Sequence, residues 1–114
     1  MKIKANFFWH NNKKFTFYEY ACVNSFVKNN FDVNVYSYEN IKLPKNAKLK
    51  DASKIISKKH IYKYNHQGKK GCLAAFADKF RIELLKKDNG WYFDTDVMCL
   101  KNSSHFFELE KNKK

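Results

Sequence analysis

Short apolar strands that alternate with amphipathic helices constrain the fold of this chain most strongly. Residues 3–10 and 32–38 have the alternating or continuous apolar pattern of strands, and residues 16–27 between them follow a helical period. A second helical segment spans residues 73–85, and another apolar run begins at Gly90. Because strands that alternate with helices pair in parallel, the sequence predicts an α/β fold with a mostly parallel sheet.

The two predicted helices have start and stop signals as well as apolar faces. The first opens with the capping box Thr16-x-x-Glu19, and the second is predicted to end at Asn89-Gly90. The buried side of the first helix is predicted to consist of Phe17, Tyr20, Ala21, Val23, Phe26 and Val27.

Between the second strand and the second helix, only residues 51–56 resemble a helical stretch. With no repeat or linker, residues 1–114 are predicted to form a single domain.

The apolar run from Gly90 ends in two carboxylates, Asp94 and Asp96, which are spaced i, i+2. Alternate side chains of an extended backbone share a face, so the two carboxylates are predicted to converge. A hard divalent cation such as Mn²⁺ or Mg²⁺ is the natural neutraliser of two close carboxylates, and it leaves positions open for phosphate oxygens. The same pattern also occurs at the solvated end of an ordinary strand, and both interpretations remain open.

Arg81 is the only arginine of the chain, and it lies three residues after Asp78 on the second predicted helix. Residues at this spacing share a helix face, so the two side chains are neighbours. One interpretation is a surface ion pair of little energetic consequence. The other is a binding role, because the planar guanidinium suits phosphate or sugar hydroxyls better than lysine does.

Residues 74–81, 84–85, 90–92 and 94–97, taken in this order, resemble the sugar-nucleotide-binding region of glycosyltransferases with a DXD motif. That family includes yeast-type α-mannosyltransferases, bacterial capsular polysaccharide and lipooligosaccharide transferases, and, more distantly, the clostridial glucosylating toxins. The resemblance extends over residues 3–101. It implies the Rossmann-like, nucleotide-sugar-binding half of a GT-A fold, truncated after the DXD motif.

The resemblance also implies roles for individual residues. Asp94 and Asp96 are expected to hold Mn²⁺ or Mg²⁺, and Asp78, Arg81 and Asp94 are expected to contact the donor. In the family a tryptophan at the position of Trp9 stacks on the base of the donor, although an aromatic residue that ends a strand is just as often part of the core. No residue is identified as a catalytic nucleophile or base.

The function implied is a nucleotide-sugar-dependent glycosyltransferase with a retaining outcome, acting in the synthesis of surface polysaccharide or lipooligosaccharide. Its partners are expected to be a UDP- or GDP-sugar donor and a glycan or glycolipid acceptor. Members of the family continue well past the DXD motif with acceptor contacts. We therefore expect the 114-residue chain to bind a donor but to be too short for full transfer activity.

The formal net charge of +12 favours an anionic partner. Nucleic acid is not expected, because sequence-specific contacts to guanine depend on arginine and the lysines are scattered. Peripheral association with the anionic inner face of a membrane fits better. The alternative function is a non-catalytic basic α/β module that docks on anionic membrane or nucleic acid.

Three widely spaced cysteines, with neither a signal peptide nor a long apolar run, indicate a reducing, cytoplasmic location.

Overall fold

The computed structural model describes residues 3–10, 17–57, 72–87 and 90–111. Within these residues the four strands form one parallel sheet in the order β3-β2-β1-β4. The predicted α/β class with a mostly parallel sheet is therefore confirmed. The elements along the chain are β1 (Lys4–Trp9), α1 (Phe17–Lys28), β2 (Asp32–Ser37), β3 (Ala47–Asp51), a 3₁₀ turn (Ala52–Lys54), α2 (Cys72–Lys87), β4 (Trp91–Tyr92) and α3 (Ser103–Lys111).

The strand order reverses at β1. On one side β1 pairs with β2 over its whole length, from Lys4 opposite Asp32 to Trp9 opposite Ser37. On its other side it pairs with the two residues of β4, and the N–H of Phe93 extends this ladder by donating to the carbonyl of Asn6 at 3.0 Å. In open α/β sheets, ligands bind beyond the carboxyl ends of the strands at such a reversal. A ligand-binding site is therefore expected at the carboxyl ends of β1 and β4.

Alternating side chains along the strands divide the buried residues into two cores, one on each face of the sheet. The core on the α1 and α3 face contains Ile3, Ala5, Phe7, Val23, Phe26, Phe31, Val33, Val35 and Cys99. The core on the α2 face contains Phe8, Tyr36, Ala52, Ile56, Phe76, Phe80 and Leu84. Both faces are covered, as a parallel sheet requires.

The apolar periodicity of the two long helices is confirmed in part. Phe76, Phe80 and Leu84 repeat every four residues and are fully buried on the inner face of α2. Leu85, at the end of the predicted helical segment, is 41% exposed, because one residue rotates a side chain by about 100° around the axis. Of the residues predicted to form the buried side of α1, Val23 and Phe26 are buried, whereas Tyr20, Ala21 and Val27 are only partly buried. Phe17 was predicted to be buried in α1 but is 85% exposed. It lies nine residues before Phe26, which puts it on the opposite side of the helix.

The remaining differences concern short elements. Residues 51–56 were predicted as one helical stretch, but the structure has the end of β3 and a single 3₁₀ turn there. β3 is a lysine-rich edge strand in which only two apolar residues, Ala47 and Leu49, alternate with lysines, and Leu49 is 41% exposed. Lysine is common on edges because it discourages further pairing. Helix α3 was not predicted. Thr16 of the capping box and Asn89 of the helix stop lie outside the described residues.

Two buried asparagines lie side by side on the α2 face of the sheet. The Nδ2 of Asn34 donates to the Oδ1 of Asn6 at 3.4 Å, whereas the Nδ2 of Asn6 has no partner among the described residues. Gly90 passes close to this amide, because a Cβ at position 90 would lie 2.8 Å from the Nδ2 of Asn6 and 2.9 Å from the Cβ of Lys4. The absence of a side chain at Gly90 therefore allows β4 to approach β1.

Replacing Gly90 by alanine should lower the free energy of unfolding by roughly 1–2 kcal/mol, because the added methyl group overlaps two side chains of β1. Urea unfolding followed by circular dichroism measures the change. The strand β4 should also shift away from β1 and carry the following residues with it. An unchanged unfolding midpoint would show that β1 and β4 can separate at no cost.

Candidate functional site

Asp94 and Asp96 follow β4 at the carboxyl edge of the sheet. Both residues are exposed, and the N–H of Val97 donates to the carbonyl of Asp94 at 3.2 Å. Residues 94–97 thus form a turn, and the expectation that they continue the extended strand is wrong. In a turn, alternate side chains do not share a face by geometry alone. The convergence of the two carboxylates on one cation stays a prediction.

Tyr92 is the last residue of β4 and lies two residues before Asp94. Its side chain faces the α2 core, and burial raises the pKa of its hydroxyl well above the usual range. The negative charge of Asp94 raises this pKa further, the positive charge of Arg81 lowers it, and Asp78 raises it. Charged side chains of α2 and of the turn after β4 thus influence the same hydroxyl.

Asp78 and Arg81 form a loose ion pair on the exposed side of α2. The guanidinium nitrogen of Arg81 lies 3.9 Å from the Asp78 carboxylate, and the two side chains are 48% and 72% exposed respectively. A pair at this distance in solvent contributes about 0–1 kcal/mol to stability. Little free energy is therefore lost if the guanidinium turns towards a ligand.

Trp9 is the last residue of β1 and is partly buried. It packs against the core on the α1 face, which agrees with its interpretation as a core residue. Trp9 also ends β1 at the carboxyl edge of the sheet, three residues beyond Asn6, which pairs with the end of β4. The stacking role is an untested prediction.

Three polar side chains lie close together where β1 and β2 end, namely those of His10, Ser37 and Glu39. The Nδ1 of His10 lies 2.5 Å from one carboxylate oxygen of Glu39, and the hydroxyl of Ser37 donates to the other at 3.0 Å. The ring of Tyr38 meets the imidazole edge to face, with the ring centres 5.6 Å apart. Glu39 thus lies against both His10 and Ser37, and it accepts a hydrogen bond from the Ser37 hydroxyl.

The donor atoms of Asp94 and Asp96 fit a divalent cation. Carboxylate oxygens are the ligands that Mg²⁺ and Mn²⁺ prefer, and among the described residues neither carboxylate forms an ion pair. No group of three or more potential ligands occurs in the described part of the chain. A pair of carboxylates is sufficient where phosphate oxygens and water complete the coordination shell.

Sequence reasoning missed Tyr92 and the contact that Tyr18 makes with the turn. Tyr92 precedes Asp94 by two residues, so the alternation of a strand was a signal that their side chains share a face. The hydroxyl of Tyr18, in the first turn of α1, donates to the carbonyl of Asp96 at 3.1 Å. No pattern in the sequence indicates that contact, because it joins residues 78 positions apart.

Comparison with known proteins identifies the family of the chain. A family model described as the glycosyltransferase sugar-binding region containing a DXD motif matches residues 16–112, which confirms the resemblance seen in the sequence. No curated protein and no solved structure matches the chain significantly. In the described part of the chain, none of the helices has the length and apolar character needed to cross a membrane.

Proposed function

Because the chain belongs to the family of glycosyltransferase sugar-binding regions that contain a DXD motif, we propose that it binds a UDP- or GDP-sugar through a divalent cation held by Asp94 and Asp96. The observation that carries the proposal is the place of Asp94 and Asp96 in the fold. They follow β4 at the carboxyl edge of the sheet, where the strand order reverses.

Each side chain has a role in this proposal. Asp94 and Asp96 would hold Mn²⁺ or Mg²⁺, and the ion would supply positive charge that favours departure of the nucleotide. Arg81 binds a phosphate or sugar oxygen with its two-pronged guanidinium, and Asp78 accepts hydrogen bonds from sugar hydroxyls. Trp9 offers its indole face to the base, a contact worth about 1–3 kcal/mol where bases stack on aromatic side chains.

The reaction proposed is transfer of the sugar to a glycan or glycolipid acceptor, with retention of configuration, in the synthesis of surface polysaccharide or lipooligosaccharide. The basic composition supports peripheral association with an anionic membrane surface, where such acceptors are found. Asp94, Asp96, Arg81 and Trp9 act on the donor alone, so donor binding is the part of the proposal that this chain can test directly.

Calorimetric titration of UDP and of GDP into the protein tests the proposal, because these groups are common to all the donors considered. We expect one of the two to bind in the presence of Mn²⁺ and to lose most of its affinity in EDTA. The absence of binding by both nucleotides, or equal binding with and without the metal, would contradict the proposed function.

The alternative, a basic module that docks on anionic surfaces, gives a different result in the same instrument. It predicts binding of phosphatidylserine vesicles or tRNA that weakens steeply with salt and does not require a metal. Titrations with these two probes at two salt concentrations therefore separate the alternatives.

Replacing Arg81 by lysine should weaken Mn²⁺-dependent nucleotide or sugar-nucleotide binding by about tenfold, a change of about 1.4 kcal/mol in the binding free energy. The charge is kept, but the planar two-pronged contact is lost. Titration of the nucleotide that the unsubstituted protein prefers, and of its glucose conjugate, measures the change.

A second ion pair on α2 provides the control. The Lys86 ammonium lies 3.6 Å from Glu83 at the same i, i+3 spacing. We expect Lys86→Ala to leave donor affinity unchanged. Equal affinities for the Arg81→Lys variant and the unsubstituted protein would remove Arg81 from the donor site.

A further inference from the structure

One stripe of α1 carries polar side chains that the donor site does not use. Tyr18, Cys22, Ser25 and Asn29 follow each other at intervals of four, three and four residues, so they lie along one side of the helix. The apolar residues Val23 and Phe26 point into the core instead.

This polar stripe contacts residues 96–103, the segment that follows the DXD motif. The hydroxyl of Tyr18 donates to the carbonyl of Asp96 at 3.1 Å. The hydroxyl of Ser25 accepts from the N–H of Cys99 at 2.8 Å. The Nδ2 of Asn29 donates to the carbonyl of Cys99 at 3.1 Å. Finally, the N–H of Ser103 donates to the backbone carbonyl of Asn29 at 2.8 Å.

The contacts are significant because the segment lies outside the sheet. Residues 97–102 are in neither a helix nor a strand, so their backbone groups do not form a ladder with a neighbouring strand. Backbone donors and acceptors need partners when they are buried, and Cys99 is buried. Helix α1 supplies these partners and so fixes the path of the chain after the DXD motif.

We propose that Tyr18 is a positioning residue for the metal site. Its hydroxyl holds the carbonyl of Asp96 and thereby sets the turn that presents the carboxylates of Asp94 and Asp96 to the cation. Ser25 and Asn29 anchor the segment further along, where Cys99 is buried. Among these three side chains, that of Tyr18 contacts the turn formed by residues 94–97. This inference rests on the proposed function, because it concerns the same cation.

The surroundings of Tyr18 favour this role. The side chain is 56% exposed, and its ring contributes less to the core than a buried ring does. Loss of the hydroxyl should therefore release the turn without unfolding the protein.

Without the Tyr18 hydroxyl, the turn should bind the metal more weakly, because fewer molecules have the binding arrangement at any one time. If the arrangement that binds the cation is populated for only a fraction of the time, the apparent dissociation constant rises by the inverse of that fraction. For the loss of one of the hydrogen bonds that hold the turn, we expect a rise of about three- to tenfold, which corresponds to the usual net contribution of such a bond.

The test measures Mn²⁺ binding by electron paramagnetic resonance in the presence of saturating UDP or GDP, whichever nucleotide binds, with the full chain. Tyr18→Phe keeps the ring and removes the hydroxyl. Tyr20→Phe makes the same change on another side of α1 and is the matched control. We expect a three- to tenfold higher Mn²⁺ dissociation constant for Tyr18→Phe alone, with the metal-free melting temperatures of all three proteins unchanged.

The outcomes distinguish this inference from the function on which it rests. Metal binding by the unsubstituted protein with equal affinity in Tyr18→Phe would overturn the positioning role and leave the proposed function intact. Equal weakening in Tyr20→Phe, or weakening in parallel with a lower melting temperature, would mean a general effect on α1 and would also overturn it. No Mn²⁺ binding by the unsubstituted protein would contradict both.

Discussion

Replacing Phe26 by alanine should lower the free energy of unfolding by about 3–5 kcal/mol, a large part of the stability of a small domain. Phe26 is 1% exposed. Its ring centre lies 5.0 Å from that of Phe7, 5.3 Å from that of Phe31 and 4.5 Å from that of Phe93. The substitution therefore removes the residue around which the core on the α1 face is packed, and it leaves a cavity as well as lost contacts.

The same substitution should weaken the site, because Phe93 immediately precedes Asp94 and is held by Phe26. Chemical unfolding gives the loss of stability, and Phe17→Ala is the control on the same helix. Phe17 is 85% exposed, so its replacement should change the free energy of unfolding by less than about 0.5 kcal/mol. If Phe26→Ala does not fold, Phe26→Leu should show a smaller loss in the same direction. Equal stabilities for Phe17→Ala and Phe26→Ala would contradict the described packing of α1.

Replacing Asp96 by asparagine should abolish the stabilisation that Mn²⁺ provides in the presence of the bound nucleoside diphosphate. At a hundredfold excess of ligand over its dissociation constant, the unsubstituted protein should gain about 2.7 kcal/mol, which thermal unfolding detects as a higher melting temperature. Asparagine keeps the shape of the side chain but removes the negative charge that a divalent cation requires.

Asp32 provides a control at the other edge of the sheet. It begins β2, and its carboxylate lies 3.3 Å from the Lys48 ammonium. The variant Asp32→Asn should keep the full response to Mn²⁺ and nucleotide. If Asp96→Asn responds as strongly as Asp32→Asn, then Asp96 is not a metal ligand.

The main elements of the fold were predictable because their patterns are local. The strands β1 and β2 and the helices α1 and α2 all have an apolar period that belongs to one kind of element. β3 was missed because its exposed lysines are determined by its place at the edge of the sheet, which tertiary pairing decides. β4 is shorter than predicted because the chain turns at Asp94, a feature that apolar periodicity does not encode.

The candidate site could be predicted only in part for a similar reason. The residue types and spacing of Asp78, Arg81, Asp94 and Asp96 were visible as a motif. Which of them approach one another depends on the packing of α2 against the sheet beside β4, which no local pattern encodes. The contact of Tyr18 with Asp96 likewise depends on how α1 lies beside the turn. Such long-range contacts leave no periodic signal in the sequence.

The most direct test of the central claim is an anomalous diffraction measurement on crystals of the protein grown with Mn²⁺ and the nucleotide that binds, UDP or GDP. A manganese peak within coordination distance of the Asp94 and Asp96 carboxylates, with the diphosphate on the same ion and the base against Trp9, is the predicted result. A nucleotide bound elsewhere, or a manganese ion that does not contact either carboxylate, would contradict the assignment of this edge of the sheet as the donor site.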